Sequence, residues 1–338
     1  MLAMVIKEFR QLRRDRRTLA MMIVMPLLLL VIFGYAASFD VKAVETVVVG
    51  TGAETAKARL PAQLDVVETD ASQDRDWAVD QLRRGKAVVA IVAGSSPEIF
   101  IDGSELFAAR SVVSGLASVP GLPQATVLFN PQLETSTIMV PAIIGLILVF
   151  VGTIATSLGI VRERQAGTLE QLAVMPFRPT DVFVGKIAPY FLVAIIDMAI
   201  VVGVGLWLFD VPFKGSPVVF VAGALVFLLV TLGVGVLIST VSQNQGQAIQ
   251  LAIMTLLPQV LLSGMVFPLS SMAPGVRWIS YGLPLTYFIQ ISRGVMVRGA
   301  PFDALITPLA YLSILGVVVF SLAALRFRRD LAPAGKSP

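Results

Sequence analysis

The sequence predicts an α-helical polytopic membrane protein: six transmembrane helices, with a small extracytoplasmic α/β domain between the first and the second. Three observations predict it. The 338-residue chain is 56% hydrophobic and only 14% charged, with a mean hydropathy of +0.83, whereas soluble domains carry about 25% charged residues. Its uncharged runs have the length of a bilayer. Its charges gather in a few segments, the largest of which reads as an ordinary water-soluble fold.

The spans follow from those runs. A hydrocarbon core about 30 Å thick is crossed by about 20 apolar residues as helix. Residues 18–39 and 135–161 carry no charge, 187–209 carry only Asp197, and 304–325 carry none. The run from Gly215 to Val276 is long enough for two crossings, and the polar stretch from Ser242 to Gln247 divides it. The predicted spans are therefore 18–38, 135–161, 187–209, 217–241, 248–267 and 304–325. Helices are the spanning form that satisfies its own backbone in lipid, and these runs are too long for barrel strands.

Orientation follows from lysine and arginine. With the N-terminus inside, segments 1–17, 162–186, 242–247 and 326–338 hold fourteen basic residues, against four in the short outside segments 210–216 and 269–303. Both termini are thus expected in the cytoplasm, with 326–338 as a tail and the chain in the cytoplasmic (inner) membrane. In 1–17, Leu2, Val5, Ile6 and Phe9 share one helical face while Lys7, Arg10, Arg14 and Arg17 lie on another. That pattern suits an interfacial helix beside anionic head groups. A cleaved signal peptide ending at Ala36-Ala37-Ser38 is the rival reading, but its apolar run exceeds the usual length.

Residues 39–134 differ in kind. Thirteen acids and eight bases fall between 40 and 134. Strands are expected at Val47–Gly50, Leu64–Val67, Ala87–Val92 and Glu98–Asp102, with helices over 73–84 and 104–118. Strands alternating with helices indicate an α/β unit, with Pro120 to Pro123 as its exit. Residues 269–300 are broken by Pro274, Gly282 and Pro284 and carry Trp278, Tyr281 and Tyr287, which suits short interfacial or re-entrant helices.

The chemistry available is narrow. The chain has no cysteine and no histidine, which removes disulfides, thiolate metal sites and histidine-based catalysis or ligation. It contains no G-x-x-x-x-G-K-[ST] loop to cradle phosphates, and Gly50-Thr51-Gly52 reads as a turn. No catalytic residue, metal site or nucleic-acid contact is expected.

The most informative segment is the inside loop 162–186. Leu169, Leu172 and Ala173 share a helical face, Thr168 is placed to cap the helix, and Pro176 stops it. This reads as a short, stiff, charged helix hung between two spans; an ordinary basic loop is the plainer alternative. Glu163, Arg164, Gly167, Thr168, Glu170, Leu172 and Pro176, followed by Val184-Gly185-Lys186 at the next span, resemble the ABC-2 type permease family. The basic N-terminal helix, the large outer domain and the Pro-rich stretch Leu262–Pro268 agree with it across the whole chain.

The resemblance implies that this loop forms a coupling helix docking on a separate ABC ATPase. Two copies of that ATPase would bind ATP and Mg, so this chain has no cofactor and is not itself an enzyme. A second permease, identical or homologous, would complete a dimer exporting a hydrophobic or amphipathic substrate: a drug, an antibiotic or a lipid-like molecule. A membrane partner passing ATPase motion to an outer protein without transport stays open. An intramembrane enzyme would need paired reactive groups, and only Asp197 sits at membrane depth. A charge there costs about 2.5–3.5 kcal/mol, so Asp197 either meets substrate or a proton, or makes a structural hydrogen bond. Thr153, Thr156 and Ser157 form a small polar face that is either helix packing or a wall of the path.

Overall fold

A computed structural model describes residue 27 and residues 43–58, 60–61, 63–117, 123–168 and 179–330. The interfacial helix 1–17, the first span 18–38 apart from Leu27, and residues 331–338 of the tail lie outside the described residues.

The N-terminal part is a three-layer α/β unit. Its strands are β1 (Val44–Val49), β2 (Leu64–Asp70), β3 (Val89–Val92), β4 (Glu98–Asp102) and β5 (Ala125–Leu128). They form one sheet in the order β2-β1-β3-β4-β5. β1 pairs parallel to both β2 and β3, β3 is antiparallel to β4, and β4 is parallel to β5. The helices are α1 (Ala53–Lys57), α2 (Arg75–Arg83) and α3 (Leu106–Ala117). A sheet apolar on both faces needs cover on both. Val44, Val48, Ile91 and Ile101 pack with Ala109 and Val112 of α3 on one side, and Val47, Ala90 and Phe100 pack with Ala78 and Leu82 of α2 on the other.

α2 starts at Asp74, whose carboxylate accepts the N–H of Trp77 at 3.0 Å. The Gly50-Thr51-Gly52 segment is a turn: Gly50 takes a φ of +93°, and a Cβ there would collide with the carbonyl of Ala93. β5 is a strand that the sequence did not signal, just beyond the exit expected at Pro120 to Pro123. The exit into the helices is stapled by Asn130, which donates to the carbonyls of Gly103 (3.3 Å) and Glu134 (3.0 Å) and accepts the N–H of Glu134 (3.0 Å).

The rest is helical: α4 (Thr135–Gln165), α5 (Pro179–Leu208), α6 (Pro217–Val241), α7 (Gln245–Leu262), α8 (Pro274–Ser280), α9 (Pro284–Arg293) and α10 (Phe302–Asp330). A π turn interrupts α4 at Val151–Ala155, and another, Gly294–Arg298, extends α9. Among the described residues four helices are long and apolar enough to cross a membrane: Thr135–Gln165, Val184–Leu208, Pro217–Val241 and Phe302–Phe327. α7 is not one of them. Four glutamines and Pro258 dilute its 18 residues, and it ends at Leu262 although the apolar run continues to Phe267. Gly264, at φ +85°, turns the chain there.

α6 is the centre of the bundle, with Phe227, Leu228, Val230, Leu232 and Val236 buried. Phe227 stacks on Phe288 of α9 at 4.5 Å between ring centroids. Small residues let the helices approach, as in lipid-embedded packing. A Cβ at Gly235 of α6 would lie 2.8 Å from the carbonyl oxygen of Thr153, and one at Gly145 of α4 would lie 2.6 Å from Phe288. α5 and α10 turn apolar side chains outward, among them Leu192, Ile200 and Trp207, and Val317 and Leu322.

Candidate functional site

Of the residues singled out in the 162–186 loop, Glu163, Arg164, Gly167 and Thr168 gather at the C-terminal end of α4. The helix closes with Ala166 N–H on the carbonyl of Arg162 (3.0 Å) and Gly167 N–H on that of Arg164 (3.1 Å). Gly167 then turns the chain at φ +73°, a conformation glycine adopts without steric cost. The sequence placed Thr168 as the cap of the next helix, whose N–H groups lie outside the described residues; its hydroxyl also donates to the carbonyl of Glu163 at 2.9 Å, closing the helix behind it. Glu170, Leu172 and Pro176 lie outside the described residues.

Three side chains at this end tie α4 to its neighbours. Glu163 forms an ion pair with Lys186 of α5. Arg164 donates through Nη1 to the carbonyls of Ser239 (2.6 Å) and Ser242 (3.1 Å) at the end of α6. Those carbonyls belong to a helix's last turn, which has no intrahelical partner, and a cation there also suits the negative end of the helix dipole. Gln165 accepts from the side-chain amide of Gln245 at 3.0 Å, where α7 begins under the cap Asn244, which accepts the N–H of Gln247 at 2.9 Å. Four helices thus meet on consecutive residues of one. Higher on the same seam, the Tyr190 hydroxyl of α5 occupies the space left by Gly159 of α4. Val184 is exposed and Gly185 has nothing among the described residues near its Cβ position.

The intramembrane residues separate into two groups. Thr153, Thr156 and Ser157 are buried in the α4–α6 seam. Thr153 donates to the carbonyl of Thr231 (3.3 Å) and Ser157 to that of Ile154 (3.1 Å), while Thr156 packs against the Gly235 position. Asp197 stands on α5, half-buried, and its Oδ2 has no hydrogen-bond partner among the described residues. The structure does not bring Asp197 and the threonines together through any hydrogen bond among the described residues.

The other end of α4, about 45 Å away by helical rise, carries a second polar junction that the sequence did not signal. Arg84, after α2, is ion-paired with Asp303 of α10. Arg298 of the π turn reaches 3.6 Å from Asp102 of β4, and Lys214 donates to the carbonyl of Phe129 at 3.4 Å. Asp102 is fully buried, and burial pushes its carboxyl up to about 6 although Arg298 pulls the other way. These contacts fasten the α/β unit to the helices.

Residues 16–325 match the family described as ABC-2 family transporter protein. The chain is 28% identical over 370 residues to the probable multidrug ABC transporter permease YbhS of Escherichia coli, covering 97% of each chain. It is 32% identical over 203 residues to the probable multidrug ABC transporter permease YbhR of the same organism, covering 60% of this chain and 55% of that one. It is 31% identical over 214 residues to the Escherichia coli inner membrane transport permease YhhJ, covering 60% and 54%. With the match running through the α/β unit, the α4 end and the helices on either side, the chain belongs to the ABC-2 family of transporter membrane proteins.

Proposed function

We propose that this chain is the membrane-spanning permease subunit of an ABC exporter in the cytoplasmic membrane, driven by a separate ATPase that binds ATP and Mg. The observation that carries the reading is the α4 end, where Glu163, Arg164 and Gln165 bind α5, α6 and α7. A displacement applied to the loop after Gly167 is delivered to four helices at once. ATP-driven closure of two motor subunits supplies such a displacement, and a ligand-driven change of this kind biases a two-state element in proportion to its differential binding.

The full topology of the reading has six spans, both termini inside, and the α/β unit outside. The first span is residues 18–38, and α7 with the following residues to 267 makes the fifth. The segment 162–186 is the coupling element, docking two ATPase copies across a dimer of permeases. The substrate is hydrophobic or amphipathic, a reading supported by the printed descriptions of YbhS and YbhR as multidrug permeases. Asp197 and the Thr153, Thr156 and Ser157 seam lie at the depth where such a path runs.

The test is outward movement of an amphipathic fluorescent dye from cells expressing the chain with its ATPase. Accumulation is expected to fall with both chains present and to recover when either is omitted. Equal accumulation in all three strains, with a panel of drug and lipid-like probes, overturns the reading.

A further inference from the structure

The junction between the α/β unit and the helices encloses a cavity of about 380 Å³, within the size of small-ligand sites. Its lining is rich in charge, and most of those charges are already committed. Arg84 is held by Asp80 and Asp303. Arg298 lies against the backbone of Gly85, where a Cβ would sit 2.9 Å from its guanidinium, and it faces Asp102 at 3.6 Å. Asp102 in turn accepts the N–H of Ser104 at 2.8 Å. Arg277 donates to the hydroxyl of Tyr281 at 3.1 Å.

Arg293, on α9, is different. It is 8% exposed, its Nε has no hydrogen-bond partner, and among the described residues no carboxylate forms an ion pair with it. The Ser263 hydroxyl, which also lines the cavity, is buried and without a partner among the described residues. A buried guanidinium with no carboxylate in contact is costly unless something supplies one. Across the cavity, Glu45 and Glu105 line the α/β wall and form no ion pair among the described residues. Partial burial raises the carboxyl of Glu45, Arg277 opposes the rise, and the neighbouring Glu105 and Asp65 add to it. Among the described residues, Arg293 therefore touches no anion and Glu45 and Glu105 touch no cation, although Glu105 and Asp102 attract Arg293 and Arg277 attracts Glu45 from beyond ion-pair distance.

We infer that this cavity binds a zwitterionic ligand, with its phosphate or carboxylate on Arg293 and its ammonium group facing Glu45 and Glu105. A lipid head group of the phosphoethanolamine type and a free small zwitterion share this chemistry. The inference does not rest on the transport reading, and its test uses neither ATP nor the motor.

Full-length purified protein is titrated calorimetrically with glycerophosphoethanolamine and with glycerol 3-phosphate, which lacks the amine. The zwitterion is expected to bind at least tenfold more tightly. Arg293→Gln abolishes binding of both probes. Glu45→Gln, at a position with no ion pair among the described residues, lowers zwitterion affinity to that of glycerol 3-phosphate and keeps the protein testable if the Arg293 variant fails to fold. A parallel arm extracts the protein from phosphatidylethanolamine and phosphatidylglycerol nanodiscs and counts retained lipids by native mass spectrometry. Retention of phosphatidylethanolamine that Glu45→Gln removes assigns the lipid source, and soluble binding without retention assigns the free solute. Absence of both, equal affinity for the two soluble probes, or a folded Arg293→Gln that binds as wild type overturns the inference.

Discussion

The two ends of α4 are built on opposite principles. At the Gln165 end, charge is spent on neighbours: Glu163 on Lys186, Arg164 on two helix-terminal carbonyls, Gln165 on Gln245. At the Thr135 end, charge is buried and left incomplete: Asp102 meets Arg298 only at 3.6 Å, and the Nε of Arg293 meets nothing among the described residues. Saturated polar networks rigidify, whereas partly satisfied ones are high in energy and responsive. The first end binds four helices together; the second leaves buried charge without close partners among the described residues.

The largest expected effect comes from breaking the saturated end. Arg164→Ala leaves two carbonyls without their charged donor, a loss of about 2–4 kcal/mol. ATP-driven dye efflux is expected to fall at least tenfold while the associated ATPase still hydrolyses ATP, and Arg164→Lys should restore part of it. Full efflux by the alanine variant would remove Arg164 from the transmission.

A smaller effect comes from the incomplete end. Asp102 has a folded-state value of about 6 against an ordinary 3.8, so between those values the folded protein binds the proton more tightly than the unfolded chain does. Its contribution therefore favours folding at low pH and is lost as pH rises through about 6. The gain from pH 7.5 to pH 5 is about 1 kcal/mol. Asp102→Asn should shrink the difference in melting temperature between those two pH values by the equivalent amount. An unchanged difference would mean that the carboxyl titrates normally.

The Glu163–Lys186 pair is partly solvated, with side chains 33% and 23% exposed, so its removal is worth under about 1 kcal/mol. Glu163→Gln should reduce efflux several-fold at most, and the swap Glu163→Lys with Lys186→Glu should recover it. Failure of the swap would point to a role for Glu163 beyond the pair. Smallest is Thr168→Ala, which removes one exposed hydrogen bond worth about 0.5 kcal/mol, the low end for such bonds. Local hydrogen exchange at the end of α4 is its readout, and no change there would dismiss the closure.

The helical part was largely legible because the bilayer imposes a length that uncharged runs disclose. α6 is readable between Ser216-Pro217 and the polar turn at Ser242, since proline suits a first helical turn. α7 was less so. Its apolar run outlasts the helix, and only the left-handed Gly264 marks where the helix gives way. β5 escaped notice because four residues beside a proline-rich stretch carry little periodicity, and its partner β4 is remote in sequence.

At the site, the acceptors decide what is visible. Glu163, Arg164 and Gly167 stood out as a motif, but the partners of Arg164 are backbone carbonyls of Ser239 and Ser242, and carbonyls have no letter in a sequence. Arg298 and Asp102 do, yet nothing local distinguishes them from surface charges. Only the packing of β4 against the turn after α9 makes them neighbours.

The π turn at Val151–Ala155 has a geometric consequence for both ends. It inserts a residue into a shaft whose residues otherwise advance by about 100° each, so the angular phase of the Arg164 end is set by that insertion against the Asn130 staple. Removing one residue within 151–155 would relax the bulge into plain α-helix and leave Glu163, Arg164 and Gln165 nearly in phase, whereas removing one elsewhere in α4 would swing them about a quarter-turn off their partners. α4 is in this sense a keyed shaft whose one adjustable turn is the π turn, the place where a residue can be lost without rotating one junction against the other.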